Sequence, residues 1–153
     1  MANKPTTHQN LNINKASSVK DSELQSLASY YKKSSTRLEA ARSLAERHEQ
    51  LVGKTAKHVL QLFPSALSAE HHVACCLRDI EYFIRVIEYC LVSDSTKPAN
   101  EILIGLKEMY LALGLSLSCC LEALSFIRAN HGLIADQATE ANVYIDYMLA
   151  ALS

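Results

Sequence analysis

With 153 residues the chain has the length of one domain, enough to bury roughly 68–70% of its unfolded surface without disulfides or a metal. Hydrophobic residues make up 49% and charged residues 20%, with four Gly, three Pro and no Trp, so punctuation is too sparse for a turn-rich β-sandwich or barrel and the apolar content excludes disorder throughout. A formal net charge of −1 lacks the basic excess of a nucleic-acid binder.

Residues 1–20 open with the polar, Asn-rich MANKPTTHQNLNINK and show no sustained period. They read as a flexible N-terminal arm, without the apolar core of a secretory signal. Asp21-Ser22-Glu23 then starts a helix, with Asp21 or Ser22 as N-cap. Apolar residues follow at steps of three and four, among them Leu27, Tyr31, Leu38, Ala41, Leu44 and Leu51. The run ends at Pro64, a length that implies two helices bent near Arg47-His48 or Gly53.

After a connection over Ser65–Ala69, a second run covers Glu70–Val92 and is apolar on most sides, which marks a central helix. Ser93–Pro98 is a turn. Three helices follow: Ala99–Leu113, ended by Gly114; Leu117–Asn130, ended by Gly132; and Asp136–Leu152, with Asp136 as N-cap. About six helices of unequal length suggest an all-α, globin-like packing. Glu101, Lys107 and Glu108 interrupt the most apolar region, so no stretch reaches the ~20 residues of a membrane span.

The five cysteines are Cys75, Cys76, Cys90, Cys119 and Cys120. Their odd number and the lack of a Cys-x-x-Cys argue for free thiols in a reducing compartment. Adjacent helical side chains point about 100° apart, so a bridge within Cys75-Cys76 or Cys119-Cys120 would be strained. Cys119-Cys120 read as small apolar core residues. His48, His58 and His131 read as surface or capping histidines, and Lys32-Lys33 with Arg37 as a solvated basic face.

The densest chemistry is HHVACCLRDIEYFIR, residues 71–85. His72, Cys76 and Asp79 share one helix face, which admits three readings. Zinc would accept these ligand types but needs a fourth. A buried thiol with a capping carboxylate is the bland reading. In the third, Arg78 beside Cys76 favours the thiolate, Asp79 accepts N–H donors of a bound ring system, and an Arg clamps a ligand carboxylate.

At CCLRDIEYFIRVIEYCLV the chain resembles the phycobiliproteins, the bilin-carrying antenna subunits of phycobilisomes. The match is to the α-type subunit and rests on Cys76-Leu77-Arg78-Asp79, Tyr82-Phe83, Arg85 and Tyr89-Cys90. EALSFIRANHGLIADQATEANVYIDYMLAALS looks like phycocyanin α, KEMYLALG like the allophycocyanin version of the preceding helix, and RLEAARSLAERHEQLV like the family's first long helix. The resemblance runs from about Asp21 to Ser153 and implies a phycobiliprotein domain over 21–153. Its fold would be a globin-like core with an N-terminal helical extension for pairing.

The same resemblance implies a cofactor, a linear tetrapyrrole such as phycocyanobilin, bound by a thioether to Cys76. Asp79 would meet the pyrrole N–H groups and Arg78 a propionate, with Tyr82 and Phe83 beside the pigment. Neither a catalytic residue nor a metal ligand is implied. Partners would be a β-type subunit, linker proteins and (αβ) oligomers, with no nucleic acid and no membrane insertion. The setting would be the cytoplasmic or stromal face of the thylakoid membrane.

Several positions depart from the family pattern. The segment Pro64–Cys75 is short, Cys75 replaces a basic residue, Ile102 replaces an aromatic, and Cys119-Cys120 stand where the family keeps Trp-Tyr. The stretch around Ile104-Gly105 is one residue tighter, and near Ile13 only Asn12 and Asn14 stand where an Asp normally pairs with a partner's Arg, although Arg85 is kept. The expected function is a light-harvesting subunit that carries a bilin and passes excitation on. The alternatives are a structural or regulatory paralogue with no or altered pigment, and a thiol- or zinc-dependent sensor.

Overall fold

The computed structural model describes residues 20–153 of the chain. Except for Lys20, the expected arm over 1–20, with the Asn12–Asn14 region, lies outside the described residues. Within them the chain is helical: α1 Asp21–Glu46, α2 His48–Leu62, α3 Glu70–Ser93, α4 Lys97–Leu103, α5 Leu106–Ala112, α6 Leu117–Asn130 and α7 Ala135–Leu152. This is the all-α, globin-like arrangement expected from the spacing of apolar residues.

α1 begins one residue earlier than an Asp21 cap would place it and two earlier than a Ser22 cap would. Lys20 occupies the N-cap position, and the Glu23 carboxylate accepts its backbone N–H at 3.0 Å. Asp21 and Glu23 then lie in the first turn, where negative charge meets the positive end of the helix. Of the two bends considered, Arg47 is the one that forms. It leaves helical geometry at φ −105°, ψ 6°, while Gly53 stays inside α2. The Arg47 side chain donates to the Gly132 carbonyl, tying the α1–α2 corner to the α6–α7 corner.

α3 is the central helix, packed against α1, α2, α4, α6 and α7. Its Ile84 and Ile87 are fully buried, with Leu44 of α1, Val59 of α2, Ile127 of α6 and Met148 of α7 in the same core. Each such side chain contributes roughly 1.5–3 kcal/mol by leaving water. α3 stops at Asp94, whose left-handed conformation (φ 49°) lets the Ser95 N–H return to the Cys90 carbonyl at 3.2 Å.

The single helix expected over Ala99–Leu113 is instead two short ones. Gly105, at φ +76°, turns the chain between α4 and α5, a conformation that costs glycine nothing. Asp136 is not the cap of α7. Ile134 precedes the helix and Asp136 sits in its first turn.

The basic face expected at Lys32, Lys33 and Arg37 divides: the two lysines are exposed, but Arg37 is buried and paired with Asp94 at 3.1 Å. His48 and His131 are also buried rather than superficial. His48 Nδ1 lies 3.5 Å from Glu88 Oε1. His131 does cap, accepting the Leu133 N–H on Nδ1 at 3.1 Å. His58 is half-buried, 2.7 Å from Glu122 and stacked on Phe126.

Candidate functional site

One face of α3 carries His72, Cys76, Asp79 and Phe83 at steps of four, three and four, as helical geometry demands. These side chains form one wall of a small cavity. Tyr110 of α5 and Cys119-Cys120 of α6 close the opposite side, and Ala66 and Leu67 of the short connection cover the edge. The connection is pinned by His72, whose Nδ1 lies 3.2 Å from the Ala66 carbonyl, and by the Leu67 N–H bonded to Phe63 O at 3.1 Å. The enclosed space is about 20 Å³, room for about one water-sized sphere.

Asp79 is the chemical centre of the cavity. A buried carboxylate needs partners for both oxygens, and two side chains provide them. Arg78 donates from Nε and Nη2 to Oδ1 at 3.1 and 2.9 Å. The Tyr110 hydroxyl donates to Oδ2 from within the cavity. The two partners differ in freedom, since the Arg78 side chain is 52% exposed and Tyr110 only 4%.

Cys76 is half-buried at the same wall. The expected activation by Arg78 does not hold. Burial, with Cys119, Asp79 and Cys75 nearby, pushes the Cys76 thiol from its ordinary 9.0 up to about 11. Burial is the largest cause, and Arg78 does not offset it because its guanidinium is paired with Asp79. Burial likewise pushes the Cys120 thiol up to about 12, although a hydrogen bond with the Tyr110 hydroxyl partly offsets this. Burial above all, with Cys120 and Asp79 as neighbours, holds the Tyr110 phenol well above its usual range.

The structure therefore brings Cys76, Arg78, Asp79 and Phe83 together, with Phe83 1% exposed beneath the carboxylate. Tyr82 is not part of this group. It is 54% exposed and lines a separate polar hollow with Glu46, Glu49, Glu81 and Arg85. Among the described residues no three His, Cys, Asp or Glu side chains are grouped as a metal ion requires. Cys119 and Cys120 are buried as expected, but they also face the cavity.

Sequence reasoning missed Tyr110. Its hydroxyl contacts Asp79 from 31 positions away, and within Lys107–Gly114 it reads as one apolar residue among several. The only local signal was a pair of glycines, Gly105 and Gly114, bracketing a single turn-and-helix unit that holds a tyrosine.

This combination of an all-helical core with a thiol, a carboxylate and a guanidinium on its central helix is accompanied by a clear family likeness. The chain belongs to the phycobilisome protein family, whose model matches residues 14–152. The family is one of light-harvesting pigment proteins, not of enzymes. The chain is 35% identical over 148 residues to a phycoerythrocyanin alpha chain from Nostoc sp., covering 91% of each. It is 34% identical to allophycocyanin alpha chain 1 of Microchaete diplosiphon, over 86% of this chain and 87% of the other. The allophycocyanin alpha chain of Cyanidium caldarium is also 34% identical, over 85% and 86%. It is thus a divergent α-type phycobiliprotein subunit. Among the described residues no helix is long and apolar enough to cross a membrane.

Proposed function

We propose that this chain is a light-harvesting antenna subunit that carries a bilin, such as phycocyanobilin, on Cys76 and passes excitation to neighbouring pigments. The observation that carries the reading is the pair Cys76 and Asp79 lining one cavity, with the half-exposed Arg78 bonded to Asp79. The donor set suits the group. A thiol can add across an unsaturated carbon of an end ring, forming the S–C bond while its proton passes to the adjacent carbon. Asp79 Oδ1 is the acceptor for ring N–H groups, and Arg78 is free to turn outward onto a propionate.

The cavity of about 20 Å³ is far too small for four rings, so a bilin held on Cys76 would extend beyond it. When bound, the bilin supplies the absorption and emission. The residues of this chain fix its conformation and exclude water from its inner edge. Phe83 and Leu67 provide the apolar floor and edge. No bond is turned over after attachment, so the subunit does not act as an enzyme. A thiol pushed up to about 11 is almost wholly protonated at neutral pH.

Leu24, Leu27, Tyr30 and Tyr31 on α1 are each at least half exposed, and together they form an apolar strip. A strip of that kind rarely stays free, and its occupant here is a β-type subunit. The resulting (αβ) units join linker proteins in a phycobilisome or related antenna, on the cytoplasmic or stromal face of the thylakoid.

The test is co-expression with bilin synthesis and attachment enzymes, followed by a denaturing gel read by zinc-enhanced bilin fluorescence. Wild type should carry one pigment per chain and Cys76→Ala none. Pigment surviving in Cys76→Ala overturns the attachment site. A folded, unpigmented wild type overturns the antenna reading in favour of a structural paralogue, the outcome the short Pro64–Cys75 segment would explain.

A further inference from the structure

We propose that Tyr110 is a positioning residue for the Asp79 carboxylate: it holds Oδ2 from inside the cavity, so that only Oδ1 exchanges between Arg78 and the N–H donors of a bound ligand. The asymmetry of the two partners carries this. Arg78 adjoins Asp79 on α3, and its half-exposed guanidinium has water as an alternative partner. The Tyr110 hydroxyl is buried, and beyond Asp79 only the Cys120 thiol is within its reach among the described residues.

The fold fixes the tyrosine from both sides. Gly105 (φ +76°) starts α5 and Gly114 (φ +66°) ends it, and the Leu115 N–H returns to the Tyr110 carbonyl at 2.8 Å. Swinging the ring away would strand a buried hydroxyl and one carboxylate oxygen together. Turning Arg78 away leaves its own charge in solvent, and Oδ1 then takes the N–H donors of a ligand in its place. The carboxylate therefore keeps one permanent and one replaceable partner, and its orientation survives ligand exchange.

The ionisable groups around Asp79 are Arg78 and Cys76 on α3, Tyr110 on α5 and Cys120 on α6, with His72 lining the same cavity. Among the described residues only Arg78 and Tyr110 hydrogen-bond the carboxylate.

The measurement is an infrared difference spectrum of the pigment-free protein at neutral pH, following the carboxylate stretching bands that Asp79→Asn removes. In Tyr110→Phe these bands should shift, because Oδ2 has lost its hydrogen-bond donor. A second arm leaves Tyr110 unchanged. With ring-labelled tyrosine, Asp79→Asn should move one of the seven Tyr Cζ resonances. If Tyr110→Phe and wild type give the same carboxylate bands, or if Asp79→Asn moves no tyrosine signal, the assignment is overturned.

Only the loaded form rests on the antenna reading above. There Tyr110→Phe should keep one pigment per chain yet show a shifted absorption maximum, because the carboxylate that meets the ring N–H groups has lost its second donor. Absence of pigment in wild type counts against the antenna reading and leaves the two pigment-free arms intact. An unshifted spectrum in pigmented Tyr110→Phe counts against Tyr110 alone.

Discussion

Arg37 and Asp94 meet at 3.1 Å, and through that contact α1 is fastened to both α3 and α7. The Arg37 side chain is only 7% exposed. Asp94 also accepts the Tyr144 hydroxyl at 3.1 Å, and Glu140 lies 4.0 Å from Arg37 on the same helix as Tyr144. Arg37→Ala removes the central cation and leaves three polar groups facing one another. It should cost about 2 kcal/mol, below the range for a fully buried pair because Asp94 is half open to water. Asp94→Asn keeps the left-handed backbone and removes only the charge, so it should cost less. Urea denaturation of the two variants beside wild type measures both.

Alkaline pH should unfold the protein early. Burial raises the thiols of Cys76, Cys90, Cys119 and Cys120 and, up to about 12, the Tyr144 phenol. Folding thus retains protons that the unfolded chain gives up near pH 9 and above, so stability falls as pH rises. The stabilisation is complete below pH 9 and fades toward pH 11, the Cys76 value. Melting temperature measured from pH 7 to 10.5 should decline only above pH 9. Over the same range the alkylation rate of Cys76 should rise about tenfold per pH unit, as thiolate does below its pKa. Asp79→Asn should speed it at every pH.

Acid acts through a different residue. Burial, assisted by the charges of Arg128 and Arg47, lowers the His131 imidazole from its ordinary 6.5 despite its contact with Asn142. Neutral His131 accepts the Leu133 N–H, and a proton on Nδ1 would break that bond. The unfolded chain binds the proton more readily, so stability is full above pH 6.5 and is lost as pH falls below it. His131→Asn can accept the same N–H without titrating. Its melting temperature should vary less than that of wild type between pH 6.5 and 4.5.

The glycines divide by position. A Cβ on Gly132 would sit 2.7 Å from Arg47 Nη1 on a backbone with φ +69°, whereas Gly53 has nothing within 4 Å. Gly132→Ala should cost about 1–2 kcal/mol, and Gly53→Ala should gain about 0.5–1 kcal/mol from helix propensity. Adding Arg47→Ala to Gly132→Ala removes the clash but not the backbone strain. A double-mutant cycle by chemical denaturation therefore separates the two.

The helices of this fold were legible because apolar residues recur every three or four positions, from Leu27 through Leu51 and again from Val73 through Leu91. The break at Gly105 was not, because its apolar neighbours continue the same spacing while only the backbone turns. At the site, Cys76, Arg78 and Asp79 were visible as neighbours on one helix. Their electrostatic relation was not, since helical spacing shows that Arg78 is near both acidic groups but not which one its guanidinium reaches. Tyr82 looked equivalent to Phe83 in sequence, yet adjacent helical positions differ by about 100°, and one is exposed while the other is core. Long-range partners such as Tyr110 and Arg37 depend on how helices cross, which no local pattern encodes.

The exposed front of α1 has a thermodynamic consequence. Residues 21–33 are all open to solvent, and Arg37 is the first buried side chain of the helix. Among the described residues the front buries no side chain in the core. It is held by helix propensity and local bonds, such as Ser26 Oγ donating to the Ser22 carbonyl at 2.9 Å, with Ser29, Lys32 and Lys33 facing α7 across an open hollow. A segment of about a dozen residues is marginal as a free helix in water. α1 is therefore one helix in geometry and two in cooperativity. Its rear half unfolds with the globin-like core, while its front half can melt and re-form without breaking a single core contact.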